Sequence, residues 1–243
     1  MGDRLAWRRL LDLLFPPRCV GCRLMGAWLC TSCLARIPRV ESPLCALCGD
    51  AISGADLCAR CRVHPLTIER VRSVYFFERE LREAMHRLKY RGQTALAEPL
   101  GEAMAEYWLR DPAPPADVVV PVPLHDARLR ERGHNQASLL ARVVADVTGL
   151  RFEERALVRC RATATQVGLG VGERRENVAG AFQCREGALA GERVLLIDDV
   201  CTTGATLDAA AAALCGGGAL TVQGLTLGRA RRKLRVTSGS ESE

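Results

Sequence analysis

Hydrophobic and polar positions divide the chain into two textures. Between about residues 16 and 66, apolar residues are scattered among cysteines, prolines and glycines, with no period long enough for a core-facing element. From Ile68 onward they fall into runs and stripes. Val71 to Phe77 reads as a strand. Arg79 to Tyr90 reads as a helix with Leu81, Met85 and Leu88 on one face, ended by Tyr90-Arg91-Gly92. Ala95 to Leu109 repeats the helical period, and Asp111 to Pro115 is a proline-rich linker. Asp117 to Val122 is a buried strand, followed by a helix from Asn135 to Thr148 that Gly149 closes. Val194 to Ile197 is the next strand, Ala205 to Leu214 an alanine-rich helix, Gly216 to Gly218 a turn and Leu220 to Leu227 a last strand. Strands alternating with helices imply an α/β domain whose parallel sheet is covered on both faces.

At 243 residues the chain has room for one ordinary domain and a small appendage. The expected division is 1–66 for an N-terminal helix and a cysteine-rich module, 67–230 for the α/β domain, and 231–243 for a tail. Met1 to Phe15 reads as a short amphipathic helix on Leu5, Trp7, Leu10, Leu11, Leu13 and Leu14. It carries charges throughout and lacks a small-residue cleavage site, so it is not a secretory signal. No apolar run approaches the ~20 residues of a membrane span, and a cytoplasmic location is expected. The net charge of +6 is a mild excess, concentrated in Arg229 to Arg235, a run read as a solvated tail that can touch nucleic acid or another anion. Lysine occurs only at 89 and 233, which reads as coding bias with no functional content.

Eight of the twelve cysteines form four pairs of one spacing: Cys19-Cys22, Cys30-Cys33, Cys45-Cys48 and Cys58-Cys61. Two thiolates two residues apart grip one ion from a tight turn, and two such turns complete a tetrahedral sulfur site, so four pairs supply two structural Zn²⁺ sites. The segment has little apolar material with which to fold alone, and metal would provide that free energy. A disulfide framework needs an oxidising compartment, and four successive pairs are not a thioredoxin-like arrangement. The simplest partition joins sequential pairs, 19, 22, 30, 33 and 45, 48, 58, 61, and a crossed arrangement stays open. Cys201 reads as a loop residue, and His64 as a loop histidine.

Chemistry concentrates in Val194 to Leu207, where a buried strand ends in Asp198-Asp199 and runs through a Thr/Gly loop into a helix. Ligands of open α/β sheets bind at the carboxyl ends of strands. A loop entering a helix presents free N–H groups to an anion, and Gly204 allows close approach while Thr202, Thr203 and Thr206 add hydroxyls. Adjacent carboxylates suit sugar hydroxyls or a hydrated Mg²⁺. A phosphorylated ribose fits this combination. A second candidate, Pro121 to Gln136, also follows a buried strand and carries Arg128, Arg130 and Arg132, whose guanidinium groups suit diphosphate oxygens. A third, Arg159 to Phe182, is polar and Gly-rich, with Arg161, Thr163, Thr165, Gln166, Arg174, Arg175 and Asn177, and reads as a mobile flap.

The order apolar strand, two acids, two variable residues, Thr-Thr-Gly-Ala-Thr resembles the phosphoribosyl diphosphate (PRPP) signature of type I phosphoribosyltransferases. The cysteine pairs, Pro-Val-Pro-Leu-His, Arg-Gly-His-Asn-Gln, Arg-Arg-Glu-Asn-Val-Ala-Gly-Ala-Phe and the Asp-Asp loop together resemble the ComF family, over about residues 5 to 230. Those are bacterial phosphoribosyltransferase-like proteins named for a DNA-uptake (competence) operon. The resemblance implies a type I phosphoribosyltransferase fold preceded by a double zinc ribbon. It further implies that Asp198 and Asp199 hold the ribose hydroxyls and that Thr202, Thr203, Gly204, Ala205 and Thr206 hold the 5′-phosphate. Leu124 and His125 would form the diphosphate loop with Arg128 and Arg132, and Gln166 and Arg175 would close the flap. Asp198, Asp199 and Arg175 are the catalytic candidates, with Mg²⁺ accompanying PRPP. Where purine-type enzymes often carry an acidic residue in the loop, this chain has Thr202, and the acceptor is left open. The alternative is a PRPP-binding sensor or DNA-handling adaptor without turnover, with single-stranded DNA or a competence-type protein as partner.

Overall fold

The computed structural model describes residues 16–111, 114–162 and 171–231, without the side chains of Val171 and Arg175. The expected N-terminal helix, the flap residues 163–170 with Gln166, and the tail beyond Arg231 lie outside the described residues. The cysteine-rich part holds two short helices, α1 (Thr31–Ala35) and α2 (Ala59–Val63). Each follows directly on a cysteine, Cys30 or Cys58.

The α/β part then runs β1 (Arg70–Phe76), α3 (Arg79–Tyr90), α4 (Ala97–Arg110), β2 (Val118–Pro121), α5 (Asp126–Arg132), α6 (Gln136–Thr148), β3 (Arg151–Phe152), β4 (Leu157–Arg159), α7 (Val171–Val178), β5 (Phe182–Cys184), β6 (Arg193–Cys201), α8 (Ala205–Gly216) and β7 (Thr221–Arg229). Five strands form one parallel sheet in the order β1-β7-β6-β2-β3. A separate antiparallel pair, β4 and β5, lies beside it.

Alternation along the central strands assigns side chains to the two faces. Leu195 and Ile197 of β6 join Val119, Leu225 and Leu227 against Leu81, Leu88, Leu100, Met104, Leu140 and Val144 of α3, α4 and α6. Val194 and Leu196 join Val118, Val120 and Val222 against Leu207, Ala210 and Leu214 of α8 and Leu157 and Phe182 of the small hairpin. Each fully buried aliphatic side chain contributes about 1.5–3 kcal/mol, which is why the least interrupted apolar runs became the central strands. No helix among the described residues is long and apolar enough to cross a membrane.

The cysteine-rich part is built into this sheet. Val40 N–H donates to Val74 O at 3.1 Å, Phe76 N–H to Pro38 O at 2.8 Å and Val71 N–H to Leu47 O at 2.6 Å, so it covers the outer edge of β1. Gly49 permits the approach: its φ is +68°, and a Cβ there would lie 2.4 Å from Val71 O. Cys19, Val20, Leu29, Cys33 and Ile37 join the core under α3.

Two expectations need correcting. Val171 to Val178 gives helical order to part of the expected flap, and Asp126 to Arg132, to which the sequence pattern assigns no element, is a helix. Arg229 belongs to no solvated tail: it ends β7, pairs with Cys201 in register and is 1% exposed.

Candidate functional site

Loops after β6 and β2 meet over one small cavity of about 180 Å³, lined by Lys89, Val122, Pro123, Leu124, Arg128, Arg132, Gln136, Arg159, Asp198, Asp199 and Thr206. The structure thus brings together Leu124, Arg128, Arg132, the acid pair and Thr206 from the sequence-derived set. His125 is not among the lining residues: its Nδ1 caps α5, accepting from Ala127 N–H at 3.3 Å. Thr202, Thr203, Gly204 and Ala205 form the turn into α8, with Thr203 Oγ1 accepting from Ala205 N–H at 3.4 Å. Gly204 caps the helix at φ +86°, a conformation that a side chain would strain. Arg175 lies on α7 with its side chain outside the described atoms, and Gln166 lies in the undescribed stretch.

The two carboxylates are not equivalent. Burial, then the neighbouring Asp199 carboxylate, push the Asp198 carboxyl well above its ordinary range. Burial works the same way on Asp199, but the Lys89 ammonium outweighs it and holds that carboxyl low. Lys89 forms an ion pair with Asp199 Oδ2, and Asp199 N–H donates to Asp198 Oδ1 at 2.8 Å. One half-buried lysine thus keeps one member of the pair ionised, while the other favours its proton. Read as coding bias, the scarcity of lysine gave no hint that Lys89 lines this cavity and pairs with Asp199.

Four consecutive residues of the Arg-Gly-His-Asn-Gln motif hold the cavity's frame. Gly133 ends α5. His134 Nε2 bonds the Leu88 carbonyl at 2.6 Å, fixing the end of the helix that carries Lys89. Asn135 caps α6 by accepting from Ala137 N–H and ties down the β2 loop by donating to Val122 O at 3.0 Å. Gln136 is buried, accepts from Arg132 Nη1 at 3.1 Å and helps keep Asp199 ionised. Arg132 also donates to Tyr90 Oη at 3.1 Å and lies 4.9 Å from its ring centroid. Facing them, Arg159 lies 5.2 Å from the ring of Phe182, and burial together with nearby Arg128 lowers its pKa. Lys89, Gln136 and Arg159 were absent from the sequence-derived set. Four cations therefore face two carboxylates in the same cavity. Such a surplus suits a polyanion that also carries hydroxyls.

The cysteines fall into the sequential partition. The four Sγ atoms of Cys19, Cys22, Cys30 and Cys33 lie within 4.8 Å of one another, as do those of Cys45, Cys48, Cys58 and Cys61. Separations of 3.6 Å for Cys19–Cys30 and 3.7 Å for Cys22–Cys30 and Cys48–Cys58 match the ~3.8 Å edge of a tetrahedron with Zn–S bonds of ~2.3 Å. Burial opposes ionisation of Cys19 and Cys45, but backbone N–H groups overcome it and bring both to about 6. Burial and neighbouring thiols push Cys33 up to about 12. Four sulfurs this close cannot all ionise without a dication, and these sets fit Zn²⁺.

The second cysteine set adjoins the end of β6, just before the turn into α8. Asp50, just past Cys48, accepts from Arg229 Nε at 2.8 Å and lies 3.5 Å from Arg60 Nη2. Arg229 Nη1 reaches Cys201 Sγ at 3.4 Å. Cys201 is thus the buried last residue of β6, not a loop residue.

Residues 10–62 match the double zinc ribbon domain. The chain is 33% identical over 219 residues to the DNA utilization protein YhgH of Salmonella typhi, covering 87% of this chain and 96% of that one. It is 30% identical over 208 residues to the competence protein ComFC of Bacillus subtilis, covering 82% and 83%. Among solved structures, adenine phosphoribosyl transferase from Trypanosoma brucei aligns at 12% identity and a TM-score of 0.36, over 63% of this chain and 76% of that one.

Proposed function

The chain belongs to the ComF family, and on that premise we propose that it binds PRPP with Mg²⁺ and transfers the phosphoribosyl group to an acceptor. One observation carries this reading: a carboxylate pair at a strand end lies between a helix N-terminus on one side and an arginine flank on the other, all facing one cavity. Backbone N–H groups of residues 202–206 would hold the 5′-phosphate. Asp198 and Asp199 would accept from the ribose hydroxyls, and Arg128 and Arg132 would hold the diphosphate. Arg175 and Gln166 would close over the ligand. In the reaction, the bond from ribose C1 to the diphosphate oxygen breaks, diphosphate departs with the electron pair, and the acceptor bonds to C1. Mg²⁺, when bound, would neutralise charge on the leaving diphosphate. The chain's own contribution is positioning and fixed charge, and each such group is worth about 2–4 kcal/mol.

A second reading, PRPP binding without turnover, is favoured by one detail. Among the described residues, the cavity presents no carboxylate or imidazole besides the acid pair to take a proton from an acceptor, and the loop position is Thr202. In that reading the protein senses PRPP and acts in DNA handling. Calorimetric titration of PRPP and Mg²⁺ into zinc-loaded protein tests the shared premise, with binding expected for the wild type. An Asp198→Asn, Asp199→Asn double variant should bind none, and wild type that is folded yet silent refutes both readings. Diphosphate release with an acceptor mixture then separates transfer from sensing, and salt-dependent binding of single-stranded DNA measures the nucleic-acid role.

A further inference from the structure

We infer that Lys89 is a ligand-binding cation held on Asp199 until the ligand arrives, when it passes from the carboxylate to the diphosphate. The inference rests on the phosphoribosyl reading and adds a group to it. Lys89 lines the cavity while forming an ion pair with Asp199, the side chains being 19% and 9% exposed. That carboxylate is one of the two assigned to the ribose hydroxyls. Hydroxyl and ammonium compete for the same oxygens, so occupancy of the acid pair frees the ammonium.

Its destination follows from its neighbours. The His134–Leu88 bond fixes the backbone just before Lys89. Tyr90, just after it, carries Arg132 on its ring and hydroxyl, and Arg132 in turn bonds Gln136. Lys89 and Arg132 therefore enter the cavity from one anchored flank, beside Arg128, which lines it with them. A freed ammonium there joins the guanidinium groups assigned to the diphosphate. The residue type agrees with a transfer role. Only two of the 34 basic residues are lysine, and one stands here. A guanidinium in its place would fork onto the carboxylates with paired hydrogen bonds, whereas an ammonium on a flexible stem is a single movable charge.

Two probes separate this role from a merely structural one: PRPP with Mg²⁺, and ribose 5-phosphate, which offers the hydroxyls and the 5′-phosphate but no diphosphate. Calorimetry on wild type, Lys89→Met and Lys89→Gln should show PRPP affinity falling about 10- to 100-fold in both variants. Ribose 5-phosphate affinity should stay within about threefold of wild type, a change under 1 kcal/mol. Gln keeps a donor for Asp199 and guards the test against misfolding, checked by zinc content and melting temperature. Equal losses for both probes would make Lys89 only a support of the acid pair and overturn the inference, as would wild-type affinity for PRPP. Wild type that binds neither probe defeats the phosphoribosyl reading itself, and this inference with it.

Discussion

Asp50→Ala is the substitution whose cost the structure defines best. Asp50 lies between two guanidinium groups, accepting from Arg229 Nε at 2.8 Å and facing Arg60 Nη2 at 3.5 Å. The side chains of Arg229, Arg60 and Asp50 are 2%, 9% and 10% exposed, so solvent screening offers little relief. Among the described residues, alanine leaves two buried cations with the nearby cysteine sulfurs as their counter-charge. Removing one partner of a buried pair costs about 3–5 kcal/mol, a large share of the ~5–15 kcal/mol that holds a domain together. At roughly 2–4 °C per kcal/mol for a chain of this size, the melting temperature should fall by roughly 6–20 °C. Asp50→Asn keeps an acceptor for Arg229 and should cost about 1.5–3 kcal/mol. Thermal and urea melts of zinc-loaded protein, followed by far-UV circular dichroism with the zinc content of each variant measured, check both. An alanine variant melting within about 2 °C of wild type, with zinc retained, would refute the claim that this cluster joins the ribbon to the sheet.

Asp198→Asn tests the divided acid pair. The folded protein holds the Asp198 proton at pH values where the unfolded chain has lost it, so wild-type stability falls as pH rises from the ordinary carboxylate range through that raised value. Asparagine removes this loss. The variant should lose PRPP affinity yet gain stability over wild type as pH rises toward neutrality, and melts at several pH values showing a constant deficit would contradict it. Gly101→Ala places a Cβ 2.6 Å from Val143 Cβ and 3.2 Å from Leu140 O, between α4 and α6. It should destabilise by about 1–3 kcal/mol in urea melts while leaving zinc content intact.

The strands and helices that build the sheet were legible because burial stamps its period on sequence: Val194 to Ile197 is uninterrupted, and α3 carries Leu81, Met85 and Leu88 on its buried face. What escaped notice lacked that stamp. α5 buries no residue, so Asp126 to Arg132 shows no apolar stripe and no helix is assigned there. β3, β4 and β5 are two or three residues long, too short for alternation to register. At the site, local motifs revealed the groups contributed by loops, since loop chemistry is written in consecutive residues. Lys89 lies on a helix more than a hundred positions before its carboxylate, and nothing adjacent to it announces the pairing. Its rarity in an arginine-rich chain was the available cue. Arg229 was misjudged for the opposite reason, since it adjoins a basic run yet the parallel register with β6 carries it inside.

The placement of β7 between β1 and β6 has a consequence for biosynthesis. The first strand of the sheet finds its sheet neighbour only in the last: Ser73 bonds Thr226, 153 residues later. At a synthesis rate of ~5–20 residues per second, β1 waits on the order of 10–30 s for that neighbour. A nascent strand with both edges bare is a template for pairing with other chains. The cysteine module leaves the ribosome before β1 and is the segment that covers its outer edge. Apart from β1 itself, those edge hydrogen bonds involve only residues made before it, so one side of the strand can be covered before β7 is synthesised.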